Sequence, residues 1–484
     1  MDRLPPELHY RILDFCTAEL YDSSASNGSQ RQPPPTNNPP RDRFIAQARL
    51  PWRNNIPATD DPSGMPWTVS QVCKPWRSYL LSNPRLWSFI SITFAGVSPP
   101  DDDPYEDRFA RIKAKLERLR QQLRRASNEP LTVVIRLLYS CTNEGDRILF
   151  PLCCQAFRWR DLRIQLDKDR AKGFSAIKGL LPSLESLDIT CLGSKFEQEV
   201  SSFEIAPRLT KLVLSGDHCL ANGTTALRLP FDQITDFAWY DDTSSASPGW
   251  RPAHEILSRL QNLEKCRISV HPLTIEAYRN DSQHDAEQPF VSFSGLQQLE
   301  LIENRGISGI DGIFPWIRAP SLTSLTVSSS GRTRTSLCNF LTFADSLRSL
   351  TIHDVETSPH EFGALLSGLT SLKALSFGVA GGITRDYLGL FCEKEAGTDA
   401  FLAVPRLEKL TLYEVKDVAS SYEEDSLLDV LEARRRNPGV DSIDSQMRLA
   451  CVDLARNVVT DEARTRLNRL RAEGLRVLLP PVVE

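Results

Sequence analysis

The 484-residue chain is short of the residues and patterns from which reactive centres are usually built. It has 3 methionines and 7 histidines, and the histidines form no H-E-x-x-H pair and share no zinc-ligand spacing with cysteine. There is no C-x-x-C, no G-x-x-x-x-G-K phosphate loop and no G-x-S-x-G elbow, and the glycines of GISGIDG (306–312) are wrongly spaced for a dinucleotide site. The chain reads as non-catalytic and without a cofactor or metal. No stretch approaches the roughly 20 uninterrupted apolar residues of a membrane-spanning helix. Asp2, Glu7 and Arg11 stand where a signal peptide would be apolar, so an intracellular protein (cytoplasm or nucleus) with no membrane partner is expected. The 11 cysteines are odd in number and scattered, which predicts reduced thiols. A formal charge of −5 offers no global attraction to nucleic acid.

What is present falls into a front end and a repetitive body. Residues 22–40 are Ser, Asn or Pro at 12 of 19 positions with no Val, Ile, Leu or Phe to bury, so 21–66 is expected as a disordered insertion. Val69, Val72, Trp76 and Leu80 then recur at helical spacing, with Pro75 placed to kink or split the helix. Residues 101–127 carry a helical stripe, Tyr105, Phe109, Ile112, Leu116, Leu119 and Leu123, opposite a basic face that includes Lys113, Lys115, Arg118, Arg120, Arg124 and Arg125. This basic helix, placed in the linking region 95–130, is expected to pack on its own domain with a solvated face. The alternative is a nucleic-acid or acidic-surface binder using 105–125.

The pattern L-x-x-L-x-L recurs with first apolar positions at Trp159, Leu184, Leu209, Ile234, Leu263, Leu296, Leu322, Leu347, Leu372, Leu407 and Leu449. Six of the ten intervals are 25 or 26 residues, inside the roughly 20–29 residue period of leucine-rich repeats. L-x-L is the period-two signature of a half-buried strand, and stretches such as PHEFGALLSGL and SLLDVLEARRR between strands have helical periodicity. Such units bury their apolar faces only by stacking. The expected fold is therefore α/β: a solenoid over 131–459, with parallel strands on the concave side and helices on the convex side. A capping helix and tail follow over 460–484. Segments 87–92 and 131–135 read as the first irregular strands. The asparagine usual three residues past the third apolar position is present at Asn304 but missing from most of the series, which predicts an irregular horseshoe.

LPPELHYRIL (4–13) and SQVCKPWRSYLLSNPRLW (70–87) resemble the two halves of an F-box, in the split form of the large families of mushroom-type fungi. Leu4, Pro5, Glu7 and Leu8 match its opening, Ile12 and Leu13 the end of its first helix, Val72, Cys73, Trp76 and Arg77 its centre, and Leu86 and Trp87 its close. The resemblance implies an α-helical module (1–20 with 67–94) that docks a Skp-family adaptor and, through it, a cullin. It carries over Leu4, Pro5, Leu8, Ile12, Val72, Trp76 and Trp87 as docking residues. With repeats behind it, the module implies a substrate receptor of a Skp–cullin–F-box ubiquitin ligase, monomeric outside the complex. An interaction scaffold that has lost docking is the alternative. An unknown protein substrate is expected on outward strand positions: Asp188, Lys211, Tyr240, Lys265, Arg267, Glu300, His353, Lys409 and Tyr413.

Overall fold

The computed structural model describes residues 66–94, 105–137, 144–166, 171–191, 199–216, 226–240, 256–270, 290–303, 313–328, 335–355, 357–379, 383–394, 401–413, 424–435, 451–454 and 461–478. Leu4, Pro5, Leu8 and Ile12, the insertion up to residue 65, and Asn304 lie outside them. The chain divides into two compact units, with the boundary in the repeats between Ile234 and Thr235.

The first unit opens with two short helices, α1 (Val69–Val72) and α2 (Lys74–Ser82), and a 3-10 turn at Pro84–Trp87. Then come β1 (Phe89–Phe94), α3 (Tyr105–Arg125), β2 (Leu131–Leu137), α4 (Glu144–Cys153), β3 (Trp159–Leu166), β4 (Ser186–Cys191) and β5 (Lys211–Ser215). Each strand pairs in parallel with the next. Register stacks Ile90, Val133, Leu162, Leu187 and Leu212 in one row, all fully buried. The row exists because each strand offers an apolar residue (Ile, Val or Leu) at the same register position.

The second unit repeats the arrangement. Its strands are β6 (Asp236–Tyr240), β7 (Lys265–Val270), β9 (Gln298–Glu303), β11 (Ser324–Ser328), β12 (Ser349–Val355), β13 (Ala374–Val379), β14 (Lys409–Leu412), β15 (Cys451–Leu454) and β16 (Arg476–Leu478), again parallel neighbours in chain order. The helices are α5 (Thr335–Leu341), α6 (Pro359–Ser367), α7 (Arg385–Gly389), α8 (Glu424–Arg435) and α9 (Asp461–Ala472). A separate two-stranded parallel ladder joins β8 (Val291–Ser292) to β10 (Ile317–Arg318). Each of the eleven hexamers leads into a strand, as the repeat reading expects. The terminal strand β16 and the β8–β10 ladder were not expected from the sequence.

Two backbone devices explain why the repeats stack. A turn brings the first leucine's N–H to the carbonyl three residues earlier, as from Leu209 to Ala206, Leu322 to Ala319 and Leu372 to Leu369, and the earlier residue is buried each time. The residue after the first leucine then accepts two N–H bonds from the next repeat. Gln297 accepts from Thr323 and Ser324, Thr323 from Arg348 and Ser349, and Arg348 from Lys373 and Ala374. These carbonyls are satisfied only by a neighbour in register, so stacking follows from hydrogen-bond accounting as well as apolar burial.

Local sequence sets the helix ends. Ser358 and Glu361 form a reciprocal capping box on α6, with Pro359 in its first turn. Asp461 and Glu462 begin α9, as read from the sequence. At the far end of α3, the buried Arg158 donates to the carbonyls of Ala126 and Glu129 and neutralises the negative pole of the helix.

Candidate interaction surfaces

The V-C-x-x-W-R segment straddles two helices. Pro75 sits in the first turn of α2, where its missing N–H costs nothing, and Cys73 is extended (φ −155°, ψ 166°) between α1 and α2. Proline therefore splits the helix. Arg77 Nε donates to the carbonyl of Ser70 at 2.8 Å and Ser70 Oγ to that of Trp67 at 2.6 Å, holding the pair together. Val72 is 52% exposed, Leu81 is exposed and Trp76 is half-buried, so apolar surface remains available here.

Trp87 is a correction to the docking set. It is fully buried, its indole N–H donates to the carbonyl of Leu80 at 2.8 Å, and Trp67 meets it edge-on at 5.1 Å. The Arg125 guanidinium lies 4.3 Å from its ring and 4.7 Å from that of Trp67, and burial lowers the Arg125 pKa. Gln122 on α3 donates to the carbonyls of Trp87 and Phe89. Trp87 thus spends its surface on its own core, joining the front helices to α3. Leu119 and Leu123 of the α3 stripe are buried, and Lys113, Arg120 and Arg124 are exposed.

Among the outward strand positions, register brings together two groups. Arg267 lies directly across from Glu300, with Nε 2.5 Å from Oε2, and its Nη1 reaches the Tyr240 hydroxyl at 3.2 Å. Burial disfavours the guanidinium charge, but Tyr240 and Glu300 outweigh it and the Arg267 pKa is raised. Strands β6, β7 and β9 therefore present a fixed, charge-balanced Tyr–Arg–Glu array. In the second group, the His353 and Tyr413 rings meet at 4.3 Å. Gly378, on the strand between theirs, accommodates Tyr413: a Cβ there would lie 3.0 Å from the Tyr413 carbonyl oxygen.

Two positions expected to be accessible are not. Asp188 is 7% and His353 8% exposed. Asp188 sits beside Arg163 and raises the pKa that burial lowers there, while His353 is covered in its contact with Tyr413. Lys211 is half-buried, and Lys265 and Lys409 are exposed on strands that are not neighbours.

Burial holds the His353 pKa down to about 4 from 6.5. The unfolded chain therefore takes up a proton first as pH falls. Stability is fully present above about 6.5 and is expected to decline between pH 6.5 and 4 by about 3 kcal/mol through this residue. Urea unfolding from pH 7 to 4 checks this, since His353→Phe should remove that component of the slope.

Among the described residues, no group of three or more His, Cys, Asp or Glu side chains is placed to hold a metal ion, and no helix is long and apolar enough to cross a membrane. Cys73, Cys153, Cys154, Cys266, Cys338 and Cys392 are free. Cys191 is disulfide-bonded, which corrects the expectation of reduced thiols at that residue, since pairing depends on spatial approach that residue spacing does not reveal.

No family model matches the chain, and no curated protein matches it. Among solved structures, a Bacteroides fragilis protein from a structural-genomics programme is similar at 14% identity with a TM-score of 0.30, over 71% of this chain and 84% of its own. The chain is thus an α/β protein of stacked, parallel-stranded repeats preceded by a short helical segment.

Proposed function

We propose that this protein is the non-catalytic substrate-recognition subunit of a Skp–cullin–F-box E3 ubiquitin ligase. The segment 67–87 docks the Skp-family adaptor together with residues 4–13, and the repeats hold a protein substrate. The observation that supports this best is the pair of helices around Cys73, which keeps Val72 exposed and Trp76 partly exposed while Trp87 anchors the segment from below. Catalysis in such an assembly is proximity, in which the receptor raises the substrate's effective concentration near a charged conjugating enzyme.

The test is co-purification of the full chain with a Skp-family adaptor. Leu8→Ala with Trp76→Ala is expected to abolish capture, and charge reversal at Lys211 and Lys265 to spare adaptor capture while weakening substrate capture. Adaptor binding that survives Leu8→Ala with Trp76→Ala, or is absent from the wild type, would replace this reading with that of a repeat scaffold.

A further inference from the structure

Three consecutive repeats of the second unit place Phe290, Arg318 and Phe343 together on the segments that precede their main strands, Arg318 on β10. The Arg318 guanidinium lies 3.7 Å from the Phe290 ring centroid and 5.2 Å from that of Phe343. All three side chains are exposed, the phenylalanines by 49% and 53%. Among the described residues Arg318 meets only the two rings, with no ion pair and no hydrogen bond from its guanidinium. The support beneath is rigid: β10 pairs with β8, the Phe293 N–H donates to the Arg318 carbonyl at 2.8 Å, and Phe314 packs on Phe340 at 5.2 Å.

A guanidinium with its π-face against a ring keeps its N–H fork in its own plane, open to solvent. Stacking also removes rotamer freedom that binding would otherwise have to remove, and it partly desolvates the charge. A fork of this kind matches a carboxylate in bidentate fashion, and two half-exposed phenyl rings beside it match an apolar neighbour on the same ligand. Arginine and aromatic side chains also dominate binding energy at protein interfaces.

We propose that Phe290, Arg318 and Phe343 form a docking site for a short acidic–apolar segment of a partner protein, with an Asp or Glu carboxylate on Arg318 and an adjacent apolar side chain against the rings. The proposal rests on the reading that the repeats hold a protein partner. Its test uses no adaptor, so its failure is separate from the loss of adaptor capture.

The full chain and the full-length Arg318→Gln variant are each used to select from a random dodecapeptide phage library. Sequences with Asp or Glu next to Leu, Ile or Phe are expected to be enriched on the wild type and lost on the variant. An enriched peptide, labelled and titrated by fluorescence anisotropy, is expected to bind Arg318→Gln at least about tenfold more weakly and Phe290→Ala or Phe343→Ala about threefold to tenfold more weakly. Replacing its carboxylate with the amide should cost the same as Arg318→Gln, a comparison that needs no change to the protein. The proposal is overturned if no acidic–apolar class is enriched or if Arg318→Gln binds within twofold of wild type. It is equally overturned if single-stranded oligonucleotide, rather than peptide, depends on these three residues.

Discussion

Trp87→Ala is expected to lower the stability of the first unit by about 3–5 kcal/mol, the range for removing a fully buried large aromatic side chain. The indole has no exposed area, its N–H satisfies the Leu80 carbonyl, and its ring carries Trp67 and Arg125. Truncation leaves a cavity, removes one of the two donors to the Leu80 carbonyl and deprives a guanidinium of one aromatic face. The front helices should then detach from α3 and become sensitive to protease at residues 66–87, while the strands of the second unit keep their hydrogen-exchange protection. Val72→Asp is the counterpart. Val72 is 52% exposed, so its replacement should change the melting temperature little and yet remove adaptor capture if this segment docks as proposed. The two variants separate a residue that builds the module from one that the module displays.

Arg434→Leu should be comparably severe in the second unit, at roughly 3 kcal/mol or more, because it strands buried backbone acceptors. Arg434 is 4% exposed and donates to the carbonyls of Phe391 at 2.8 Å, Val404 at 2.9 Å and Ala403 at 2.6 Å. Its guanidinium stacks 3.9 Å from the Phe401 ring. Burial lowers its pKa to about 10, so it remains a cation at neutral pH and charge assistance persists in all three bonds. Arg434→Lys keeps the charge but loses the planar fork that reaches three carbonyls from separate nitrogens, and an intermediate loss is expected. Hydrogen exchange across Glu424–Arg435 and the preceding 401–413 segment would rise together in both variants, since this side chain ties the helix to that turn.

Arg434 and Arg158 illustrate a shared solution. Each is a buried arginine whose hydrogen bonds go mostly to backbone carbonyls rather than to carboxylates. The five-donor fork suits irregular turns, where several carbonyls converge without a helix or strand to satisfy them. From the sequence, both look like ordinary members of a basic run, Arg434 within ARRR and Arg158 within FRWR.

The strand series was legible because burying one face of a stacked sheet forces apolar residues to alternate, and that constraint is written within six residues. For the same reason the α3 stripe, the split at Pro75 and the start of α9 could be read locally: caps, proline and helical period act over one or two turns. Tertiary structure alone decided which outward residues face solvent and which are covered. Arg267 meets Glu300 33 positions later, His353 and Tyr413 meet across an intervening strand at Gly378, and Trp87 is sealed by a tryptophan 20 residues before it and an arginine 38 after. Those contacts depend on how far apart two strands or helices lie once stacked, a distance that no short window of residues carries.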